Sequence, residues 1–350
     1  MARFSGERCR RFVLAVMAGT LGLWAAVAIF NVVYDPLCFF WREPLIPKPY
    51  TKTAHYLFAG LARTHSVEFI VTGQSHSQNF LRTDIQAIFG LTALNLSLVG
   101  STAREESLPL RLALENGSVR RVLWEVNTWE LRGAPQALNE NFRFPAELYG
   151  GRLPASLRYV ASLEAFDLGV REISGDGVWS LDRYGYWAND FSFGCTDMME
   201  RLQGGLQPWF DAPLSEEDAR MIAGARASLE ANMLATARRY PEVRFDLYLP
   251  PTSTAGYRGN IRVERALWET VLEGSAPLAN VHVYNFRAWS GVVDDYALFM
   301  DADHFRPEVN RRILEEVAAD RMILSQTSID QDWPRLLHML ETRPERCPGR

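Results

Sequence analysis

The sequence is poor in cysteine, in net positive charge, in repeats and in long apolar runs, and each shortage removes a class of protein. Four cysteines in 350 residues are too few for a disulfide-built scaffold, and none stands in a Cys-x-x-Cys pair of the kind that holds zinc or performs thiol redox chemistry. Lys and Arg number 37 against 42 Asp and Glu, a net charge of -5. The electrostatic footprint of a protein that lives on nucleic-acid phosphates is therefore missing, and nucleic acid is not expected as a partner. No internal repeat or low-complexity tract is present. His55, His65, His76, His282, His304 and His338 form no cluster at ligand spacing, so no metal or other cofactor is expected. What remains is a chain 47% apolar and 23% charged, ordinary for a folded protein with a hydrophobic core.

Only one apolar run is long enough to cross a membrane. Phe12 to Val33 carries no charge, follows Arg3, Arg8, Arg10 and Arg11, and precedes Asp35. Its length of about 22 residues suffices to span a bilayer as one helix. The arginines place residues 1–11 in the cytoplasm and the rest outside. The expectation is a single-pass protein of the inner (cytoplasmic) membrane, anchored by 12–33, with a periplasmic or otherwise extracytoplasmic body. The alternative is a cleaved signal peptide, with Ala26-Val27-Ala28 as its small-x-small site. In that compartment Cys38, Cys195 and Cys347 are able to oxidise, while Cys9 stays cytosolic. Residues 34–50 hold Pro36, Pro44, Pro47 and Pro49 and read as a linker.

From 51 to about 325 the pattern alternates. A helix near 53–62 precedes the apolar run 67–71, strand-like and stopped at Gly73. A helix over 79–89 puts Leu81, Ile85, Ile88 and Phe89 on one face, with Gly90 as its C-cap. Strands follow at 92–96 and 121–126, separated by a helix that opens with Thr102 and Glu105 at capping-box spacing. The stretch 132–214 loses this rhythm, is rich in aromatics and glycine, and reads as an insertion. A helix over 215–239, strands at 243–249 and 281–285, a helix at 263–272 and a last one from Pro307 complete the body. Residues 326–350 are a polar tail with a short helix. Such alternation favours an α/β fold, a three-layer sandwich with a mostly parallel central sheet.

In open α/β sheets ligands bind beyond the carboxyl ends of the strands, and two stretches stand there. Gly73-Gln74-Ser75-His76-Ser77 follows the first strand of the body. Its glycine permits a tight turn that presents Ser75 at the sheet edge, where a serine serves either as a nucleophile or as the cap of the next helix. Asp301-Ala302-Asp303-His304 precedes the last helix. A histidine general base needs its ring held in one tautomer, and Asp301, three residues before His304, has the spacing to accept from one ring nitrogen.

Together these blocks, in this order, resemble the SGNH (GDSL-like) hydrolase and acyltransferase superfamily. Two further blocks have counterparts: Gly100, in Asn95-Leu96-Ser97-Leu98-Val99-Gly100 after the second strand, and Asn127, in Glu125-Val126-Asn127-Thr128 after the third. Gln74, Glu125 and Thr128 stand where the family has aspartate, glycine and aspartate. The N-terminal anchor makes the chain most similar to the membrane-anchored branch of cell-envelope acylation, which includes a teichoic-acid D-alanylation esterase and polysaccharide O-acetylation proteins.

The resemblance implies a flavodoxin-like sandwich and acyl transfer through an ester at Ser75, with His304 as base and Asp301 as its orienter. It implies an oxyanion hole of Ser75, Gly100 and Asn127. The expected substrate is an envelope polysaccharide or lipid-linked sugar, and a multi-pass membrane O-acyltransferase is an expected partner. Tyr186 and Trp187 in the aromatic stretch are candidates to line the sugar groove, and Arg306 to meet a phosphate or carboxylate. Two alternatives remain, a catalytically silent scaffold of an acylation complex and a carbohydrate-binding module.

Overall fold

Among the described residues five strands, most of them rich in β-branched and aromatic residues, form one parallel sheet. In a computed structural model, residues 6–342 are described except 47, 49, 52, 142, 176–177, 180–207, 210–212 and 258. Tyr186, Trp187, Cys195 and Cys347 lie outside the described residues. The chain divides into two compact units, Met1–His65 with Pro145–Ser180, and Ser66–Phe144 with Leu181–Arg350.

The first unit holds helices α1 (Gly6–Val33), α2 (Ala54–Thr64), α5 (Arg152–Val160) and α6 (Leu163–Ile173). Helix α1 is long and apolar enough to cross a membrane. Residues 35–41 beyond it are folded on themselves. Asp35 accepts from the backbone N–H groups of Phe39, Phe40 and Trp41 and from Tyr159 Oη at 2.7 Å. Leu37, Cys38 and Phe39 are buried, and the Cys38 thiol is free.

The second unit carries strands β1 (Phe69–Thr72), β2 (Ala93–Asn95), β3 (Arg121–Glu125), β4 (Arg244–Leu249) and β5 (Val281–Asn285). Their order in the sheet is β2-β1-β3-β4-β5, all neighbours parallel. This is the flavodoxin-like order, whose direction of winding reverses between β1 and β3. The helices are α3 (Arg82–Phe89), α4 (Ala103–Glu115), α7 (Glu216–Ser228), α8 (Ala235–Arg239), α9 (Arg262–Ser275), α10 (Pro307–Ala318) and α11 (Gln326–Glu341), with a π-helical stretch Leu229–Leu234 joining α7 to α8. Alternation along the strands divides the core. Phe69, Val71, Leu123 and Tyr248 share a buried cluster with Ile85 of α3 and Val309, Ile313 and Val317 of α10. On the opposite face Trp124 donates its indole N–H to Glu106 of α4.

The helix and strand positions agree with those read from the sequence to within a few residues. Gly90 closes α3 at φ 70° and the Thr102–Glu105 capping box forms as expected. Three differences are physical. The stretch 75–79 is a separate 3₁₀ turn before α3, pinned by side chains that periodicity does not see. Within 132–214 two amphipathic helices form, α5 and α6. Helix α11 is a full 16 residues, buried through Ile329, Trp333 and Leu336.

Candidate active site

The turn after β1 is shaped by Gly73. Its φ is 145°, and a Cβ there would lie 2.4 Å from Glu125 Cβ and 2.6 Å from Ser77 Oγ, so only glycine lets β3 pass this close. Four side chains then pin the turn. Gln74 Nε2 donates to the Ser101 carbonyl at 2.5 Å. Asn95 Nδ2 donates to the carbonyls of Ser77 (2.8 Å) and Phe80 (3.2 Å). Asn310 Nδ2, buried on α10, donates to the His76 carbonyl at 2.8 Å. Glu125, at the end of β3, accepts from the Gln74 N–H (3.1 Å) and from Ser77 Oγ (2.8 Å). Since the single hydroxyl hydrogen of Ser77 goes to Glu125, Tyr248 Oη is the donor in its 2.6 Å bond to Ser77.

Pinned in this way, Ser75 lies half-buried with Oγ 2.7 Å from His304 Nε2. The other ring nitrogen of His304 is 2.8 Å from Asp301 Oδ2. A carboxylate on Nδ1 fixes the proton there, so Nε2 is the acceptor that faces the serine. Asp301 also accepts the backbone N–H groups of Asp303 and His304. Burial works against its charge, but the His304 ring and these N–H groups outweigh it and hold the carboxyl at about 2.

A second imidazole and carboxylate lie beside the first. His76 Nδ1 is 2.6 Å from Glu125 Oε1, and the His76 ring stacks on that of His304 with centroids 5.0 Å apart. Burial opposes both charges; the ion pair prevails, raising the His76 pKa and lowering that of Glu125. His76 also faces Asp303, which adds to the rise, and Arg287, which opposes it. Below lies a further carboxyl pair, Glu106 and Glu130, both fully buried and both raised, first by burial and for Glu130 next by the charge of Glu106.

Asn127 comes to the same place: its Nδ2 donates to Glu125 Oε1 at 2.6 Å, and its Oδ1 accepts from the Glu130 N–H. An amide nitrogen carries two hydrogens, so one remains for a ligand. His76, Asn127, Asp301 and His304 line an open pocket of about 690 Å³ whose far wall includes Arg287 and the exposed Trp129. Arg287 is buried, donates to Thr252 Oγ1, and lies 3.3 Å from Glu264.

The structure therefore brings Ser75, Asp301, His304 and Asn127 together. Ser75, which meets the pocket through His304, Gly100 and Arg306 are not among the residues of its wall. The Gly100 carbonyl is held by Arg132 and Asn139, and Arg306 Nε donates to the Ala297 carbonyl at 2.9 Å. Sequence reading left out the pairing of His76 with Glu125 and the wall residues Arg287 and Trp129. The adjacency of His76 to Ser75 was the one available signal; a partner 49 positions away leaves none. Among the described residues no group of three or more His, Cys, Asp or Glu has the arrangement of a metal site.

Fold and site define an α/β protein of flavodoxin-like strand order, with a hydrogen-bonded serine, histidine and aspartate at the reversal point of its sheet. No family model matches the chain, and no curated protein matches its sequence. Among solved structures it is similar to a protein from Streptococcus pneumonia described as a candidate platelet activating factor. That match has a TM-score of 0.40 and 11% identity, over 77% of this chain and 91% of that one.

Proposed function

We propose that the protein is a membrane-anchored, extracytoplasmic serine esterase or O-acyltransferase of the SGNH type, acting on a cell-envelope glycan or lipid-linked sugar through an acyl-serine intermediate. The observation that carries this reading is Ser75 Oγ at 2.7 Å from His304 Nε2, with Asp301 at 2.8 Å on the other ring nitrogen. Those contacts have the lengths that a nucleophile, its base and the orienter of that base need.

In the first half-reaction His304 Nε2 takes the hydroxyl proton as Ser75 Oγ bonds to the acyl carbon, and the carbonyl π electrons move onto oxygen. Collapse breaks the bond to the leaving alcohol, which takes the proton back from His304. In the second half, water or a sugar hydroxyl is deprotonated by His304 and attacks the acyl-serine, releasing Ser75. The developing oxyanion is held by the Ser75 N–H and the second hydrogen of Asn127 Nδ2, with Gly100 carried over from the family pattern. His76, held by Glu125, stacks on the His304 ring beside the site. A multi-pass membrane O-acyltransferase is the partner that would supply the acyl group.

The scaffold alternative drew its support from Glu125 standing in place of glycine. Against it, Glu125 accepts from Gln74, Ser77, His76 and Asn127 in the turn that carries Ser75, which supports the enzyme reading.

The test uses the full chain in detergent with p-nitrophenyl acetate. Ser75→Ala and His304→Ala should each lower kcat by about 10³-fold or more, and Asp301→Asn by about 10²- to 10⁴-fold, because the amide favours the wrong histidine tautomer. Turnover by Ser75→Ala equal to wild type removes the acyl-serine mechanism.

A further inference from the structure

Helices α5 and α6 have apolar residues on the outside as well as the inside. Their inner faces, Ala155 and Tyr159 of α5 and Ala165 and Gly169 of α6, are buried against the last turns of α1. There Asn31 Nδ2 donates to the carbonyls of Tyr159, Val160 and Ser162 at 2.8 to 3.2 Å, and the Phe30 ring meets Phe166 edge-on. Gly169 lets this happen, since a Cβ there would lie 2.6 Å from the Phe30 ring. The outer faces carry Leu153 and Leu157, 71% and 64% exposed, and Leu163, Val170 and Ile173, 57%, 45% and 63% exposed. Spacings of four on α5 and of seven and three on α6 gather each set into a stripe. Asp167, one turn from both Leu163 and Val170, borders the α6 stripe and pairs with Arg171 at 2.9 Å.

A soluble surface rarely gathers this many large apolar side chains on two adjoining helices. The hairpin packs on the last turns of α1, the helix read above as the anchor, whose Ile29 and Val33 are also exposed. The stretch of α1 that α5 and α6 cover, Val27 to Val33, is about 10 Å long at 1.5 Å per residue. That matches the 5 to about 10 Å to which an amphipathic interfacial helix sinks below the headgroups. Arg152 and Arg158, exposed on α5, are then available to lipid phosphates.

We infer that α5 and α6 are a second membrane-contacting element, an amphipathic hairpin seated in the extracytoplasmic leaflet around the end of α1, with lipid acyl chains as the partner of its outer stripe. The inference rests on the reading of α1 as a retained anchor. Membrane contact then comes from three helices of one unit, and Arg152–Val160 and Leu163–Ile173 belong to the anchor as much as 12–33 does.

The test places the photo-crosslinking residue p-benzoylphenylalanine, one position at a time, at Leu157, Ile173 and Leu21 and, as a control on α7, at the exposed Arg220 of the full chain. The proteins are irradiated in cell membranes and in vesicles of phosphatidylethanolamine and phosphatidylglycerol, and the adducts are weighed by mass spectrometry. Lipid adducts at 157 and 173 in yields comparable to 21, with none at 220, are expected in both settings. Lipid adducts at 21 with none at 157 and 173 overturn the inference, as do protein adducts at 157 and 173, which would make the stripe a docking face for another chain. Absence of lipid adducts at 21 overturns the anchor itself, and the hairpin with it.

Discussion

The chemistry proposed for Ser75 depends on residues that never touch its hydroxyl. Glu125 collects four donors in a fully buried position, so truncating it leaves each unsatisfied and His76 with an uncompensated charge. Glu125→Ala should cost about 3 to 5 kcal/mol of stability, the range for breaking a buried ion pair, read by urea unfolding. The pair also has a pH window. The His76 pKa lies above its ordinary 6.5, so its contribution is complete below that value and is lost as pH rises through the raised one. Glu125 lies below its ordinary 4.5, so its contribution is present above that and is lost as pH falls. Thermal stability is accordingly expected to decline on both sides of neutrality. Glu125→Gln removes the main cause that raises the His76 pKa and should abolish the alkaline decline; a decline that persists would separate it from His76. Gly73→Ala, which forces a Cβ against β3, should abolish turnover while far-ultraviolet circular dichroism stays near wild type. At this scale Ser75, Asp301 and His304 were legible, because short spacings and strand ends locate them. His76 with Glu125 was not, because a contact between turns of two strands leaves no periodic trace.

At the scale of elements, α1 and α5 are joined by Asn31, whose amide donates to the carbonyls of Tyr159, Val160 and Ser162 where α5 ends and α6 begins. Asn31→Leu keeps the volume and apolar character of α1 but removes those bonds. A loss of about 1 to 3 kcal/mol, measured as a lower thermal midpoint in detergent, is expected, while α1 still inserts. The strands were legible as short apolar runs buried on both faces, and the long helices because one face is buried in a simple period, as with Val309, Ile313 and Val317 of α10. Helices α5 and α6 were hidden within a stretch that looked irregular, since Gly169 sits inside α6 and Leu153, Leu157 and Ile173 put apolar residues on its outer faces. Their pattern becomes readable once lipid rather than water is taken as the outer solvent.

For the whole molecule, the parallel sheet follows from alternating strands and helices, but the order β2-β1-β3-β4-β5 does not, because no local signal says on which side of β1 the third strand lies. That order sets Gly73 and Glu125 on neighbouring strands and so creates the site. On the proposed topology, with the arginines before α1 in the cytoplasm, the C-terminus lies on the far side of the membrane. An alkaline phosphatase fused to the C-terminus should be active in a bacterial host and a green fluorescent protein fused there dark; the reverse pattern would invert the topology. The central claim, a nucleophilic Ser75, is tested most directly by treating the full chain with a fluorophosphonate and locating the adduct by peptide mass spectrometry. One adduct on Ser75, absent in His304→Ala and blocked by prior incubation with an ester substrate, is the expected result. A folded wild-type protein that takes up no label at Ser75 would contradict it.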